Sequence, residues 1–363
     1  MFGKLGSRGG LDGLGSNKTT EENDVLCEGG PEDTVSTIRF SNSSDLDVDP
    51  QFVSCSSWDE TVKIWEIGAS SGRFSTKLSA EISMDAPVLG HCWSPDNAHI
   101  FTACTDNQVK MWDINTNSIK QVGVHESCVK DVFFCDLNNI LISTGWDGHI
   151  KFWDLRSSTP AFDISLEPLK IWSFSYCYPL LVGALSNGII FVSNMENITK
   201  MAATKPDLGV SSPLKFQTRH VEAFPDGKGY AVSSIEGRCG IKNIDFNDLR
   251  EKYQTDFNFK CHRKMNKDAD VYAVHQVSFN LKHQTFATCG GDGSYFIWDK
   301  EQRKRLKSTG GCDVPITACR MNPSGSLMAY SFGYDWAKGY NARGSSPVKL
   351  FLHPTTDKEI RIS

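Results

Sequence analysis

The chain has 363 residues, a formal net charge of −5 at pH 7 and a hydrophobic content of 39%. A mildly acidic chain is not a general binder of polyanions. No apolar run approaches a length of about 18 residues and no apolar signal segment opens the chain, so we expect neither a membrane span nor secretion. The twelve cysteines contain no Cys-x-x-Cys pair, which favours small buried side chains in a reducing compartment over disulfides or metal ligands.

The first residues of the chain differ from the rest in composition. Residues 1–24 are rich in Gly, Ser, Asn and acidic residues and have almost no apolar periodicity, so we predict a disordered tail. From residue 25 onward, short apolar segments alternate with Gly, Pro, Asn and Asp turns. This alternation indicates a single all-β domain over residues 25–363.

A local phrase recurs along this domain. It consists of an acidic turn residue, alternating apolar residues and a Trp six positions after the acid, and it ends at Trp65, Trp112, Trp153 and Trp298. The first three of these tryptophans are 47 and 41 residues apart. That spacing is typical of WD repeats, each of which forms one four-stranded blade. The sequence therefore predicts a WD-repeat β-propeller.

Seven blades are predicted from the succession of strand segments. Blades one to three begin near Val35, Pro87 and His125, and blade six contains the phrase that ends at Trp298. Blades four and five lack the repeat Trp, and blade seven contains an insertion over residues 333–346. Residues 25–27 are predicted to form the outer strand of blade seven, because a propeller ring usually closes with a strand from the other end of the chain.

One set of polar residues in blade three resembles a catalytic triad. We predict instead that His125, Thr144, Asp147 and Trp153 form the hydrogen-bonded set that ties a WD blade together, because their spacing follows the repeat. The chain contains no Gly-x-Ser-x-Gly, His-Glu-x-x-His or P-loop lysine phrase. We therefore expect a protein that is not an enzyme and has no cofactor, no metal and no small-molecule substrate.

Two large aromatic residues occupy the position just before the turn acid, in the loop between the two middle strands of a blade. Blades two and four have Thr105 and Ser186 there, whereas blades one and three have Trp58 and Trp146. An aromatic side chain on a solvent-facing loop is typical of binding sites. The sequence predicts that both tryptophans contact a partner, and packing against the neighbouring blade is the alternative.

Cations gather near the corresponding loop of blade five. Arg238 is the only Arg among the equivalent residues of the blades, and we predict that it binds a carboxylate at the top of the ring. An internal ion pair with Glu236 is the alternative. Residues 259–264 add a cationic segment before blade six, and residues 300–307 add another on its outer hairpin. Either segment is a candidate for RNA phosphate contact or a solvated loop. The candidate RNA contacts are Arg303, Lys304, Arg305 and Lys307.

Five longer phrases are more specific than a WD signature. They are Ser-Ser-Trp-Asp at 56–59, Pro-Leu-Lys-Phe-Gln-Thr-Arg at 213–219, Glu-Gly-Arg at 236–238, Phe-Lys-Cys-His-Arg at 259–263 and Tyr-Asp-Trp-Ala-Lys-Gly at 334–339. Together they resemble the nuclear-pore mRNA export factor family of WD-repeat proteins, over the chain from about residue 31 to its end. The spindle-checkpoint WD protein is similar in three of these phrases, while the segments 213–219 and 334–339 favour the export factor.

The resemblance implies a seven-bladed propeller that holds a short peptide, the GLEBS segment, on its top face. This peptide belongs to a nucleoporin with Gly-Leu-Phe-Gly repeats, and its paired glutamates bind the Arg of the Glu-Gly-Arg phrase. The implied contacts are Arg238 for the glutamates, Trp58 and Trp146 as an apolar shelf, and Lys260, His262 and Arg263 as supporting residues. The implied role is a docking platform for mRNA export at the nuclear pore and envelope, in the nucleus and also the cytoplasm, with RNA or messenger ribonucleoprotein as a further partner.

Two other functions stay open at this point. The spindle-checkpoint likeness implies a kinetochore adaptor that uses the same face for a kinase-borne peptide. The phrase Trp-Asp-Leu-Arg at 153–156 fits the Trp-Asp-x-Arg motif of cullin-ligase substrate receptors, in which Arg156 would contact the adaptor.

Overall fold

The computed structural model describes residues 23–43, 45, 48–70, 73–197, 209–249, 251–264, 270–343 and 348–361. Within these residues, thirty strands form seven four-stranded antiparallel sheets and one two-stranded sheet. The seven four-stranded sheets are the blades of the predicted propeller, so the all-β, seven-bladed WD-repeat fold is confirmed. Residues 1–22 of the predicted tail lie outside the described residues.

The strands are numbered in chain order. The outer strand of blade seven comes first, as β1 (Val25–Leu26), and blade one follows with β2 (Val35–Phe40), β3 (Phe52–Ser57), β4 (Thr61–Ser70) and β5 (Arg73–Ser83). Blade two contains β6 (Val88–Trp93), β7 (His99–Cys104), β8 (Gln108–Asp113) and β9 (Ser118–Val124). Blade three contains β10 (Val129–Cys135), β11 (Ile140–Gly145), β12 (His149–Trp153) and β13 (Phe162–Ser165). Blade four contains β14 (Ile171–Cys177), β15 (Leu180–Leu185), β16 (Ile189–Asn194) and β17 (Val210–Ser211).

The second half of the chain continues this order. Blade five contains β18 (Thr218–Ala223), β19 (Gly229–Ser234), β20 (Arg238–Asn243) and β21 (Phe257–Lys260). The two-stranded sheet of β22 (Arg263–Lys264) and β23 (Asp270–Val271) comes next. Blade six contains β24 (Val274–Phe279), β25 (Phe286–Gly290), β26 (Tyr295–Asp299) and β27 (Lys304–Ser308). Blade seven contains β28 (Ile316–Met321), β29 (Leu327–Phe332) and β30 (Lys349–Pro354), and the short helix α1 (Asp357–Ile360) follows it.

The first strands of the seven blades surround a central channel. These inner strands are β2, β6, β10, β14, β18, β24 and β28, and they contact one another in a closed cycle. Their beginnings lie on one side of the ring, which we call the top face, and their ends lie on the bottom face. Because each sheet is an antiparallel meander, the turn between its second and third strands also lies on the top face.

Ring closure joins two distant parts of the chain. β1 pairs antiparallel with β30, and Val25 lies opposite Leu352. This pairing confirms the prediction for the outer strand of blade seven. Asp24, just before β1, accepts hydrogen bonds from the side chains of Tyr330 and His353. The closing strand is therefore held by side chains as well as by its backbone ladder.

The hydrophobic core lies between blades. Trp65 of blade one is fully buried in a cluster that includes Leu327 and Ala329 of blade seven. Trp112 of blade two packs in the same way with Ile64 of blade one. Because each sheet buries its faces on its two neighbours, no blade is stable by itself.

The predicted hydrogen-bonded set of blade three is present with one change. His125 Nδ1 lies 2.9 Å from a carboxylate oxygen of Asp147, and its Nε2 lies 2.7 Å from Ser143 Oγ. Trp153 Nε1 donates to the same hydroxyl at 2.7 Å. The hydroxyl of the set is therefore Ser143, and the prediction of Thr144 was wrong. Successive side chains of a strand point to opposite faces, so the Thr144 hydroxyl is directed away from the set and has no hydrogen-bond partner among the described residues.

Blade six contains a second set of this kind. His262 Nδ1 lies 2.7 Å from Asp292 Oδ1, and its Nε2 lies 3.0 Å from Thr288 Oγ1. Trp298 Nε1 donates to that hydroxyl at 3.0 Å. The His262 ring is 1% exposed. The prediction that His262 contacts a partner is inconsistent with this burial, and its role is to hold the blade together.

Candidate partner-binding face

The top-face turns are held by their acidic residues. In blade one, Asp59 accepts hydrogen bonds from the backbone N–H groups of Glu32 at 2.7 Å and Thr61 at 3.0 Å. Burial acts to raise the pKa of Asp59, but these hydrogen bonds outweigh it and lower that pKa. In blade three, hydrogen bonds from His125 and the backbone likewise outweigh burial and lower the pKa of Asp147 to about 2. Both carboxylates are ionised at neutral pH, and they hold the preceding tryptophans in place.

A cavity of about 600 Å³ occupies the top mouth of the channel. The beginnings of all seven inner strands line it, together with four tryptophans, which are Trp58, Trp146, Trp172 and Trp336. Trp58 is 43% exposed and Trp336 is 41% exposed. The sequence identified the first two tryptophans as candidates and missed the other two.

Trp58 and Trp146 differ in how far they are available. The Trp146 ring is half-buried and meets the ring of Trp172 in blade four edge-on, with the centroids 5.9 Å apart. The alternative of packing against the neighbouring blade therefore describes Trp146. Its Nε1 is buried and has no acceptor within the described parts of the chain. Trp58 remains the open indole of the pair.

The insertion in blade seven contributes an aromatic group to the same mouth. The Trp336 ring lies 5.5 Å from Tyr334 and 6.3 Å from Tyr340, centroid to centroid, and the Arg343 guanidinium lies 5.5 Å from it. Arg343 Nη2 is 3.0 Å from an Asp33 carboxylate oxygen at the start of blade one. These contacts fix the insertion beside the channel, at a place that has no equivalent in the repeat.

Charges inside the top mouth are balanced within the protein. His275 Nε2 lies 3.1 Å from Asp335 Oδ2. Burial acts to raise the pKa of Asp335, but this hydrogen bond and nearby Arg219 outweigh it and lower that pKa. Burial also lowers the pKa of His275, so the imidazole is neutral at pH 7 and Arg219 faces the ionised Asp335. The mouth therefore has little excess charge of its own.

Arg238 lies outside this cavity, at the start of β20. Its Nε is 3.4 Å from Glu236 Oε2, so the internal ion pair weighed as the alternative is present. The Arg238 side chain is nevertheless 34% exposed, and no residue in the described ranges hydrogen-bonds its guanidinium more closely. Lys260 lies directly across from it on β21 and is exposed. No described carboxylate forms an ion pair with Lys260.

Arg263 supports the loop that precedes Arg238. Its Nε donates to the carbonyl oxygen of Gly237 at 3.1 Å, and its Nη2 donates to that of Glu236 at 2.6 Å. Gly237 has a φ of 60°, a conformation that a side chain would strain. Arg263 therefore positions the turn, and its partly buried guanidinium adds positive charge beneath it.

The basic hairpin of blade six divides into two parts. Arg303, Lys304 and Arg305 are exposed, as expected of candidate RNA contacts. Lys307 instead forms an ion pair with Glu359 of α1 and is largely buried. The prediction that Lys307 contacts RNA is inconsistent with this pairing, because the ammonium group already has a carboxylate partner.

Other site chemistry is limited in the described ranges. No group of three or more His, Cys, Asp or Glu side chains there is placed to hold a metal ion. None of the helices in those ranges has the length and apolar character that a membrane crossing requires. Arg156 donates to both carboxylate oxygens of Asp154, in its own Trp-Asp-Leu-Arg phrase, and is exposed.

The closed ring and its phrases define the class of protein. The family model "WD domain, G-beta repeat" matches residues 25–66, 76–113, 116–154 and 255–299. These ranges contain the four phrases that end in Trp, and the remaining blades are the ones whose strands lack it. The chain is a WD-repeat β-propeller.

Its relatives are more specific than the repeat. The chain is 36% identical over 352 residues to the "Poly(A)+ RNA export protein" of Schizosaccharomyces pombe, which covers 95% of each chain. It is 33% identical over 363 residues to "mRNA export factor GLE2" of Chaetomium thermophilum, with 97% of each chain covered. It is 33% identical over 348 residues to "mRNA export factor rae-1" of Caenorhabditis elegans, with 92% of this chain and 89% of the relative covered. The chain therefore belongs to the Rae1/Gle2 family of mRNA export factors.

Proposed function

We propose that this protein is a non-enzymatic docking platform that supports mRNA export by binding an acidic nucleoporin peptide on its top face. The peptide would be a GLEBS-type segment of a nucleoporin with Gly-Leu-Phe-Gly repeats. Membership of the mRNA export factor family supports the role in export and a place at the nuclear pore and envelope, in the nucleus and also the cytoplasm. The observation that carries the peptide site is the excess of positive charge around the Glu236 turn of blade five.

That excess follows from the contacts of four side chains. Arg238, Lys260 and Arg263 bring three positive charges to the turn, and Glu236 is the carboxylate that meets them. Arg238 and Lys260 are directly opposite across two strands, where like charges destabilise a sheet. A carboxylate from another chain relieves this repulsion, and a pair of acidic residues matches the two exposed cations. Isolated cations would instead remain solvated, but these are held in fixed positions by a strand pair.

The exposed indoles supply the apolar part of the site. Trp58 and Trp336 are each open to solvent for about two-fifths of their surface at the same cavity. Aromatic side chains carry much of the binding energy of protein interfaces when they become fully buried. A peptide that lies between Trp58 and Arg238 would therefore bury indole surface and pair its acidic residues in one contact. We include Trp146 as a half-buried edge of this shelf.

Calorimetric titration with a synthetic GLEBS peptide tests the proposal. Arg238→Ala removes one charge partner of the peptide, which costs about 2 kcal/mol or more and weakens binding about 30-fold. Lys260→Ala should weaken it by a smaller factor. Lys120→Ala is the matched control, because Lys120 is also exposed on an outer strand but belongs to blade two. Unchanged affinity after Arg238→Ala, with melting preserved, would remove Arg238 from the site.

RNA contact on the outer hairpin of blade six is a second proposal. Arg303, Lys304 and Arg305 are consecutive and exposed, and Arg303 is held by a hydrogen bond to the Gln254 carbonyl at 2.6 Å. Phosphate contacts of this kind make affinity fall with salt. Replacement of Lys304 and Arg305 by Ala should lower the dependence of log K on log salt by about two for single-stranded RNA, without weakening GLEBS binding. An unaltered salt dependence would place RNA elsewhere or exclude direct contact.

A further inference from the structure

The bottom mouth of the channel contains a second cavity, of about 490 Å³. The ends of all seven inner strands line it. Three large apolar side chains are exposed at its rim, namely Leu137, which is 68% exposed, Tyr178 and Leu281. Single exposed apolar residues are ordinary on a protein surface, but three around one cavity form an apolar rim.

The same cavity contains an arginine without an acidic partner. Arg39 near the end of β2 and Arg320 near the end of β28 both line it. Arg320 Nη1 lies 2.7 Å from Glu222 Oε1, whereas no carboxylate of the described residues forms an ion pair with Arg39. The one hydrogen bond of Arg39 is a long one, 3.4 Å, to the adjacent Ile38 carbonyl.

The surroundings of Arg39 leave its charge poorly compensated. Burial and the nearby Arg320 lower the pKa of Arg39 to about 10, although Glu222 and Asp131 act in the opposite direction. The guanidinium is still protonated at neutral pH. A partly desolvated charge of this kind destabilises the free protein unless a partner carboxylate pairs with it. Its planar fork fits a carboxylate through two parallel hydrogen bonds.

The other acids of the cavity limit the ligand. Glu222 is paired with Arg320, and Asp136 at the rim has its pKa raised by burial. A run of acidic residues would meet repulsion from both carboxylates. One carboxylate that reaches Arg39 avoids most of this repulsion, and apolar neighbours on either side cover the exposed rim.

We infer that the bottom mouth is a docking site for a peptide segment of a partner protein that carries one carboxylate beside apolar or aromatic side chains. The carboxylate pairs with Arg39, and the apolar side chains cover Leu137, Tyr178 and Leu281. This site lies on the opposite face from the proposed nucleoporin site, and it differs from it in seeking a single acid. It holds whether or not the top-face proposal is correct.

Peptide selection on the full-length protein tests the inference. A phage-displayed library of random dodecapeptides would be selected on wild type, and the enriched peptides would be synthesised and titrated by calorimetry. We expect a class of peptides with one Asp, Glu or free carboxyl terminus next to apolar residues. Arg39→Met should weaken these peptides about 10- to 100-fold, because charge-assisted hydrogen bonds are lost. Arg238→Ala serves as the control and should leave their affinity unchanged.

Two further measurements make the result decisive. Replacement of the peptide acid by its amide should cause the same loss on wild type and no further loss on Arg39→Met, as a double-mutant cycle requires. Arg39→Met should leave the urea midpoint unchanged or raise it, since it removes an uncompensated charge. A markedly lower midpoint would make Arg39 structural, and equal binding to both proteins, or no Arg39-dependent peptide at all, would overturn the inference. Arg39-dependent binding of acetate or phosphate alone, as tight as that of the peptides, would also overturn it and assign the site to a free anion.

Discussion

Removal of one hydroxyl in blade three tests how a blade is held together. Ser143 Oγ accepts a hydrogen bond from Trp153 Nε1 and donates one to His125 Nε2, and both distances are 2.7 Å. This direction follows from the second ring nitrogen, whose hydrogen is donated to Asp147. Ser143→Ala therefore leaves one buried donor and one buried acceptor without partners, and both lie where water does not enter.

The neighbouring residue provides a matched control. Each buried polar group left unsatisfied costs about 1–3 kcal/mol, so Ser143→Ala should lower the free energy of unfolding by about 2–5 kcal/mol. Thr144 is equally buried, but its hydroxyl has no partner among the described residues. Thr144→Val replaces that hydroxyl by a methyl group of similar size. We expect it to leave stability unchanged or raise it slightly.

Urea unfolding followed by tryptophan fluorescence and by circular dichroism measures both variants. The two probes must coincide before free energies are compared, because a large ring does not necessarily unfold in one step. With equal slopes, the shift of the midpoint reports the change in stability. If Thr144→Val costs as much as Ser143→Ala, or if Ser143→Ala costs less than about 1 kcal/mol, the hydrogen bonds from Trp153 through Ser143 to His125 do not hold blade three together.

Three further outcomes are expected. Arg263→Ala should weaken GLEBS peptide binding several-fold with little change in melting, because its guanidinium positions the blade-five turn; a collapse of the melting transition would make it a fold residue. Burial opposes ionisation of His353, but hydrogen bonds to Asp24 and Glu359 outweigh it and raise its pKa. The resulting stability is present below pH of about 6.5 and is lost as the pH rises through the folded-state value, so His353→Gln should flatten the urea midpoint over that range; an unchanged profile would contradict this. Burial also acts to raise the pKa of Glu359, yet hydrogen bonds from His353 and Lys307 lower it to about 2. Its contribution is present above pH of about 4.5 and is lost as the pH falls towards 2, so Glu359→Gln should destabilise the protein at pH 7 and have little effect near pH 2; an equal effect at both would refute the linkage.

The fold was predictable because its information repeats. Four phrases at blade spacing define the ring, and the blades that lack Trp are found by the strands between them. The error at Thr144 arose from a single blade in which two hydroxyl residues are adjacent. In blade six, Thr288 stands ten positions before Trp298, as Ser143 stands before Trp153. Comparison of the two blades would have selected the correct hydroxyl.

The site was only partly predictable, for different physical reasons. Trp58 departs from the repeat at a turn position, and such a departure is visible in the sequence. Trp172 stands at the start of an inner strand, where an aromatic residue is ordinary, and Trp336 lies in an insertion that has no repeat equivalent. His262 was assigned to the surface because it stands 30 residues before its Asp, against 22 in blade three. The two-stranded sheet of β22 and β23 lengthens that connection and hides the pattern.

The internal ion pair of Arg238 bears directly on the peptide site. Glu236 occupies the turn position that Asp59 holds in blade one, and it likewise accepts a backbone N–H from the preceding loop, that of Lys215 at 3.1 Å. Its extra methylene group lets the second oxygen reach the Arg238 guanidinium. A pair that is one-third exposed contributes little to stability, so a peptide carboxylate can displace or share it at small cost. The pair nevertheless restricts the rotamers of Arg238 before binding, which reduces the entropy lost when the peptide binds. Glu236→Gln should accordingly weaken binding of an acidic peptide, although it removes a like charge from the site, and tighter binding would show that Glu236 acts only as a competitor.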